Sequence, residues 1–233
     1  MQKDFTGDAS DYRLSWPVLR RDLPIWALLL GVLALTWRLY PALPDPMPSH
    51  WNIQGQVDGY MSKTAFTVFM PLLNVGIYIF MLVLPLIDPR RRNYTKFAGA
   101  YTWVRWAVVI FLAGLQILSI LFALGAPVDI GRTVQAGVAV LFILIGNFMS
   151  QVRHNYFMGI RTPWTLADEE VWTKTHRLGG RLFVAAGFLG LLTVFWVPRG
   201  IAFAVTIGGV LIACLGSVVY SYLLFAAKQR QLD

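Results

Sequence analysis

The sequence predicts an all-α polytopic membrane bundle: six transmembrane helices, both termini cytoplasmic, a small extracytoplasmic loop cap and a cytoplasmic interfacial helix. Three observations lead there. Hydrophobic residues make up 57% of the 233 residues and charged residues 14%, against roughly 25% charged in an average soluble protein. A chain this apolar cannot bury its surplus in one soluble core, so lipid is its solvent. Six segments reach the length of about 20 mainly apolar residues that a membrane helix needs. Finally, the 20 Lys and Arg residues are divided unevenly by those segments: Arg38, Lys63, Arg132 and Arg199 fall on one side and the rest on the other. The crowded side is the cytoplasmic one by the positive-inside rule.

Residues 1–23 form a polar cytoplasmic segment with Asp4, Asp8, Asp11 and Asp22, ending in Arg20-Arg21-Asp22. That composition is unlike a cleaved leader, so the first span, 24–43, reads as a retained anchor. An outer loop, 44–63, joins it to the second span, 65–87, and residues 24–87 make an N-terminal two-helix unit. Residues 88–233 make a four-helix unit with spans 104–125, 133–151, 182–197 and 201–226. Its third connection, 152–181, is a cytoplasmic loop. Most of the nine tryptophans lie near span ends, the depth at which an indole keeps its ring apolar and its N–H wet. Gly209, Ala213, Ser217 and Ser221 recur every fourth residue on the last span, a stripe of small side chains suited to close helix packing within the bundle.

Composition and motif searches exclude several chemistries. Cys214 is alone, so neither an intrachain disulfide nor a cysteine-built metal site can form. His50 falls outside while His154 and His176 fall inside, so the histidines do not converge on one ion, and no metal or cofactor is expected. His-Glu-x-x-His, Gly-x-Ser-x-Gly and phosphate-loop patterns are missing from the sequence. The net charge of +8 is accounted for by topology, with no direct nucleic-acid binding to invoke. All 12 acidic residues lie outside the spans, which argues against an ion-coupled carrier, since carriers keep a carboxylate for the coupling ion. Asn74, Gln116, Gln135 and Asn147 are the buried polar candidates inside the spans, and interhelical hydrogen bonds are expected of them.

Two loops carry specific chemistry. In the outer one, Pro44, Pro46 and Pro48 disfavour helix, and Asp58-Gly59 signals a turn. His50 and Asn52 alternate with Trp51 and Ile53 as in an extended segment. A compact hairpin-like cap results, in which His50, Trp51, Asn52 and Asp58 offer donors, acceptors and an aromatic face for recognition, or simply hold the loop's own fold. The inner loop holds Asn155, Tyr156, Gly159, Arg161, Thr162, Pro163 and Trp164. After it a helix is expected to start at Thr165, with capping-box spacing to Asp168, and to stop at Gly179-Gly180. Val171, Trp172, Thr175 and Leu178 share a face of that helix and would lie along the headgroups.

The inner run from Asn155-Tyr156 through Gly159-Ile160-Arg161-Thr162-Pro163-Trp164, continued by Trp172 and by His176-Arg177, resembles the signature of SdpI-type membrane proteins, a family named for immunity to a secreted sporulation-delaying toxin. The outer Pro44, Pro48, His50-Trp51-Asn52, Gly55 and Asp58-Gly59 resemble a domain of unknown function often fused ahead of it. The resemblance implies a multi-pass protein of the bacterial inner membrane, in contact with lipid, that protects against a secreted peptide or protein toxin. It implies also a signalling role through a cytoplasmic transcriptional repressor held at the membrane. Two other readings compete: a small transporter or channel, which needs a polar cavity at mid-membrane, and an enzyme acting on a lipid-linked substrate, which needs His154, Arg161 or His176 converging near headgroup phosphates.

Overall fold

The computed structural model describes residues 11–231; Lys3, Asp4, Asp8 and Asp233 lie outside them. Six helices are long and apolar enough to cross a membrane. A short helix α1, Trp16–Arg21, leads into α2, Leu23–Leu39, which a 3-10 turn extends to Ala42. Strands β1, Met47–Trp51, and β2, Val57–Met61, form an antiparallel hairpin. Helix α3, Lys63–Ile87, follows with Ser62 as its cap. A 3-10 segment, Arg91–Phe97, opens into α4, Ala98–Ala123, and α5 covers Ile130–Met149. After the inner loop come α6, Pro163–Ala167, α7, Glu169–Trp196, and α8, Arg199–Gln229. The hairpin cap anticipated from the outer loop is present, and the six spans fall where the apolar segments place them.

The expected interfacial helix is not found. Gly179-Gly180 does not end a helix, and no separate interfacial helix precedes the fifth span: α7 runs unbroken for 28 residues. Its first turns do not lie along headgroups either, since Val171, Trp172 and Thr175 are buried inside the protein. The physical reason is close approach. A Cβ on Gly180 would stand 2.7 Å from the carbonyl oxygen of Gly146 on α5, and one on Gly146 would stand 2.7 Å from the Gly180 carbonyl. Small residues that would terminate a helix in water let two backbones touch in a membrane. Helix α7 also packs along α8, where Ala213, Ser217 and Ser221 are buried. The small-residue stripe thus serves packing within the chain.

Three of the four polar candidates within the spans bridge helices. Asn74 donates to the Val109 carbonyl, Gln116 to Thr36 Oγ1 at 2.8 Å, and Gln135 to Thr206 Oγ1 at 3.0 Å. Asn147 is exposed on α5, contrary to expectation.

A buried ion pair fastens the N-terminal segment to the bundle. Asp22, just ahead of α2, receives the Arg105 guanidinium at 2.6 and 2.9 Å, the Tyr78 hydroxyl at 2.9 Å and the Trp106 indole N–H at 2.7 Å. Both charged side chains are 0% exposed. Read from the sequence they are headgroup-level charges; folded, they neutralise each other among helices α2, α3 and α4. Asp11 reaches Arg91 and Arg92, and Lys228 reaches Asp168. Both described ends of the chain therefore lie at the same end of the bundle as the inner loop, opposite the hairpin.

Candidate functional site

The outer site is built on the hairpin. Met47 of β1 is fully buried with Leu43, Phe66 and Ile120, which plants the hairpin on the ends of α3 and α4. A register shift separates the Pro48–Tyr60 and His50–Gly59 pairs. Asn52 shapes the turn: its Oδ1 accepts from the Gln56 backbone N–H at 2.9 Å, and its carbonyl accepts from Gly55 N–H at 2.8 Å. Gly55 itself holds φ +78°, which only glycine adopts readily. His50 Nδ1 lies 2.5 Å from Asp58 Oδ1, with the two side chains 72% and 43% exposed.

The hairpin tip is tied to the far side of the bundle. Arg199, at the start of α8, donates from Nη1 to the Gln54 carbonyl at 2.6 Å and from Nη2 to Asp129 at 2.7 Å. Asp129 in turn caps α5. Burial works against the Asp129 carboxylate, but Arg199 and the Arg132 N–H outweigh it and hold the carboxyl below its ordinary range. Arg199 is a functional candidate that the sequence reading passed over as one of four outer basic residues.

Beneath the hairpin lies a cavity of about 670 Å³ between α3, α4, α5 and α8. His50, Trp51 and Asn52 form its roof, while Met70, Leu115, Val134, Val138, Phe203 and Ile207 supply apolar walls. Gln135 and Thr206 add a bonded polar pair. Three of the four outer candidates thus line one cavity; Asp58 does not, and bonds His50. Trp51 also packs edge-on to Phe122, at 5.6 Å between ring centres, and its buried indole nitrogen has no hydrogen-bond partner among the described residues.

The inner motif folds into a bonded element. Asn155 is fully buried; its Oδ1 accepts from Phe157 and Met158 N–H and from the Tyr94 hydroxyl, and its Nδ2 donates to the Arg153 and Met158 carbonyls. Tyr156 N–H donates to Asp88 Oδ2, and the single Tyr94 hydroxyl proton is shared between that oxygen and Asn155 Oδ1. Gly159 has φ +108°. It leads to Ile160, whose N–H donates to His176 Nε2 at 2.9 Å. His176 Nδ1 then donates to the Trp172 carbonyl at 2.9 Å. Because Nε2 must accept, the imidazole is the neutral Nδ1–H tautomer. Trp172 stacks on that ring at 4.0 Å and donates from its indole to the Val152 carbonyl.

Thr162, not Thr165, caps the helix that follows: Thr162 Oγ1 accepts from Thr165 N–H and Thr165 Oγ1 from Thr162 N–H, with Pro163 in the first turn. The helix is only α6; Asp168 breaks it and caps α7 through Glu170 and Val171 N–H. The Lys228 ammonium, with the Val171 N–H, holds the Asp168 carboxyl below its usual range. Arg161 donates to the Tyr156 carbonyl at 2.8 Å, tying the loop back on itself, while Asp168 pairs with Lys228. Trp164 packs against Tyr222 of α8. Arg177 is exposed and joins none of these bonds. The motif residues thus bond largely to one another: both His176 ring nitrogens have backbone partners, and Arg161 Nη1 bonds its own loop.

Comparison with known proteins agrees with this geometry. Residues 151–221 match the SdpI/YfhL protein family, and residues 27–75 match a domain of unknown function, DUF1648. The chain is 29% identical over 185 residues to Immunity protein SdpI of Bacillus subtilis (strain 168), covering 79% of this chain and 86% of that protein. No solved structure matches. The chain is a multi-pass inner-membrane protein whose motif-bearing part is similar to the SdpI/YfhL family, with a match to DUF1648 ahead of it.

Proposed function

We propose that this protein protects its bacterium against a secreted antimicrobial peptide or protein, and that it captures the toxin at the hairpin and the cavity beneath it. The observation that carries the reading is the similarity to Immunity protein SdpI across 79% of the chain. The hairpin end supports the choice of site. It combines a polar, partly exposed rim at His50 and Asp58 with an apolar cavity of about 670 Å³, which falls within the roughly 300–1,000 Å³ of ordinary ligand pockets. An apolar side chain or helix end of a membrane-active toxin has a place to enter, and a bulged, braced hairpin lowers the ordering cost of binding it. The mainly apolar lining favours this over a transport path, which would need polar walls.

The positive-inside rule supports a cytoplasmic basic end and an outer hairpin, facing the toxin's approach. Survival of toxin-treated cells with and without the gene tests protection. Joint replacement of His50, Trp51 and Asn52 by alanine, with membrane abundance measured, tests the site. Loss of protection at normal abundance is expected; full protection would move capture to the lipid-facing helices.

A further inference from the structure

The end of the bundle opposite the hairpin holds a second cavity, of about 750 Å³, between the end of α3, the Arg91–Phe97 segment and the motif loop. Its lining carries charges of both signs, and their bonding can be followed one by one. Asp11 is taken by Arg91 and Arg92. Asp88 is taken by the Tyr94 hydroxyl and by the backbone N–H groups of Arg90 and Tyr156. Three residues of the lining have groups left over. Arg90, whose guanidinium lies 4.8 Å above the Tyr156 ring, has a buried Nη1 with no partner among the described residues. His154 is only 7% exposed, and its Nε2 is likewise buried without one. Glu169 lies exposed at the cavity and makes no ion pair among the described residues.

Buried polar atoms are bonded in the great majority of folded proteins, so two orphans on one cavity mark a place where something else supplies the partners. The complement of a cation, a carboxylate and a neutral imidazole is a group that is itself both anionic and cationic. We propose that this cavity binds a phosphoethanolamine headgroup of the adjoining lipid leaflet. The Arg90 guanidinium pairs with the phosphate and Glu169 with the ammonium, with the His154 imidazole beside them. Leu86 and Ile87 extend the lining onto the last turn of α3, where Ile87 is 60% exposed. The lip of the cavity is therefore apolar just where acyl chains would leave the headgroup. A wholly anionic headgroup would leave Glu169 unanswered, and free phosphate would make no use of that lip.

The test is native mass spectrometry of the full chain in detergent, titrated separately with phosphatidylethanolamine, with phosphatidylglycerol of the same acyl chains, and with inorganic phosphate. Phosphatidylethanolamine adducts are expected at about tenfold lower lipid concentration than phosphatidylglycerol adducts, as a charge-assisted contact would give. Glu169→Gln, an exposed change, should lower phosphatidylethanolamine binding to the phosphatidylglycerol level and leave the latter alone. Arg90→Gln should weaken both, with helicity checked by circular dichroism. Equal binding of the two lipids by the unaltered protein, or adducts unchanged in both variants, would overturn the proposal. So would displacement of phosphatidylethanolamine by millimolar inorganic phosphate, which would assign the cavity to the free ion.

Discussion

Gly159 stands where any side chain would overlap His176 Nε2. The positive φ of Gly159 turns the chain so that the next N–H, that of Ile160, meets that nitrogen. One glycine thus joins the motif loop to α7 in a way no other residue permits.

Gly159→Ala should therefore cost about 2–4 kcal/mol, from left-handed strain and a lost buried hydrogen bond. Thermal unfolding of the detergent-solubilised protein, followed by Trp fluorescence, should show a lowered midpoint. A midpoint equal to wild type would mean that the loop and α7 are not coupled in this way.

Asp22→Asn should be more damaging than any surface charge change. It leaves Arg105 charged, buried and without its counter-ion, in a site where both partners are fully enclosed. Breaking a buried pair from one side costs roughly 3–5 kcal/mol. The double change Asp22→Leu with Arg105→Leu should recover part of the loss, since no charge remains to be neutralised; a double variant as weak as the single one would contradict the argument.

Arg199→Gln should release the hairpin tip without unfolding the bundle, because its two bonds reach only Gln54 and Asp129. Hydrogen exchange at Gly55 and Gln56 should accelerate several-fold while exchange in α5 and α7 stays unchanged. Exchange at the tip as slow as in the unaltered protein would show that Met47 alone seats the hairpin.

The motif loop should weaken on mild acidification. Burial, reinforced by Arg90, lowers the His154 pKa from its ordinary 6.5, against the opposing pull of Glu169 and Asp168. A histidine with a depressed folded pKa contributes stability that is complete above 6.5 and declines as pH falls below it, because the unfolded chain takes up the proton first. Unfolding midpoints measured downward from neutral pH should show this decline, and His154→Gln should flatten it.

Orientation is checked by labelling. In a chain with Cys214 replaced by alanine, Gln56→Cys and Glu169→Cys should react with a membrane-impermeant reagent from opposite faces of the membrane. Reaction from the same face would refute the six-span arrangement.

The spans were legible because a membrane helix leaves a long apolar signature, and the hairpin because proline and Asp-Gly exclude helix there. The first helix after the motif was misplaced by three residues. Thr162-Pro163 was the available signal, since proline favours the first turn and threonine the position before it, but Thr165 was read in its place. Gly179-Gly180 misled for a different reason: a helix stop in water and a backbone crossing in lipid are written with the same residues, and only Gly146 opposite them decides which. The bond between Asp22 and Arg105 left no mark at all, as each alone looks like an interfacial charge. Arg90 was equally hidden, since the cavity it faces is assembled from segments distant in the chain.

The pairing of Asp22 with Arg105 also sets an order of events during biogenesis. The carboxylate is synthesised 83 residues before its guanidinium partner, with α2, the hairpin and α3 between them. Until α4 arrives, Asp22 is an unneutralised anion and must stay hydrated at the membrane edge. Helix α2 can then enter the bilayer early but cannot sink to its final depth. Full burial of Asp22 therefore requires a residue of the third span.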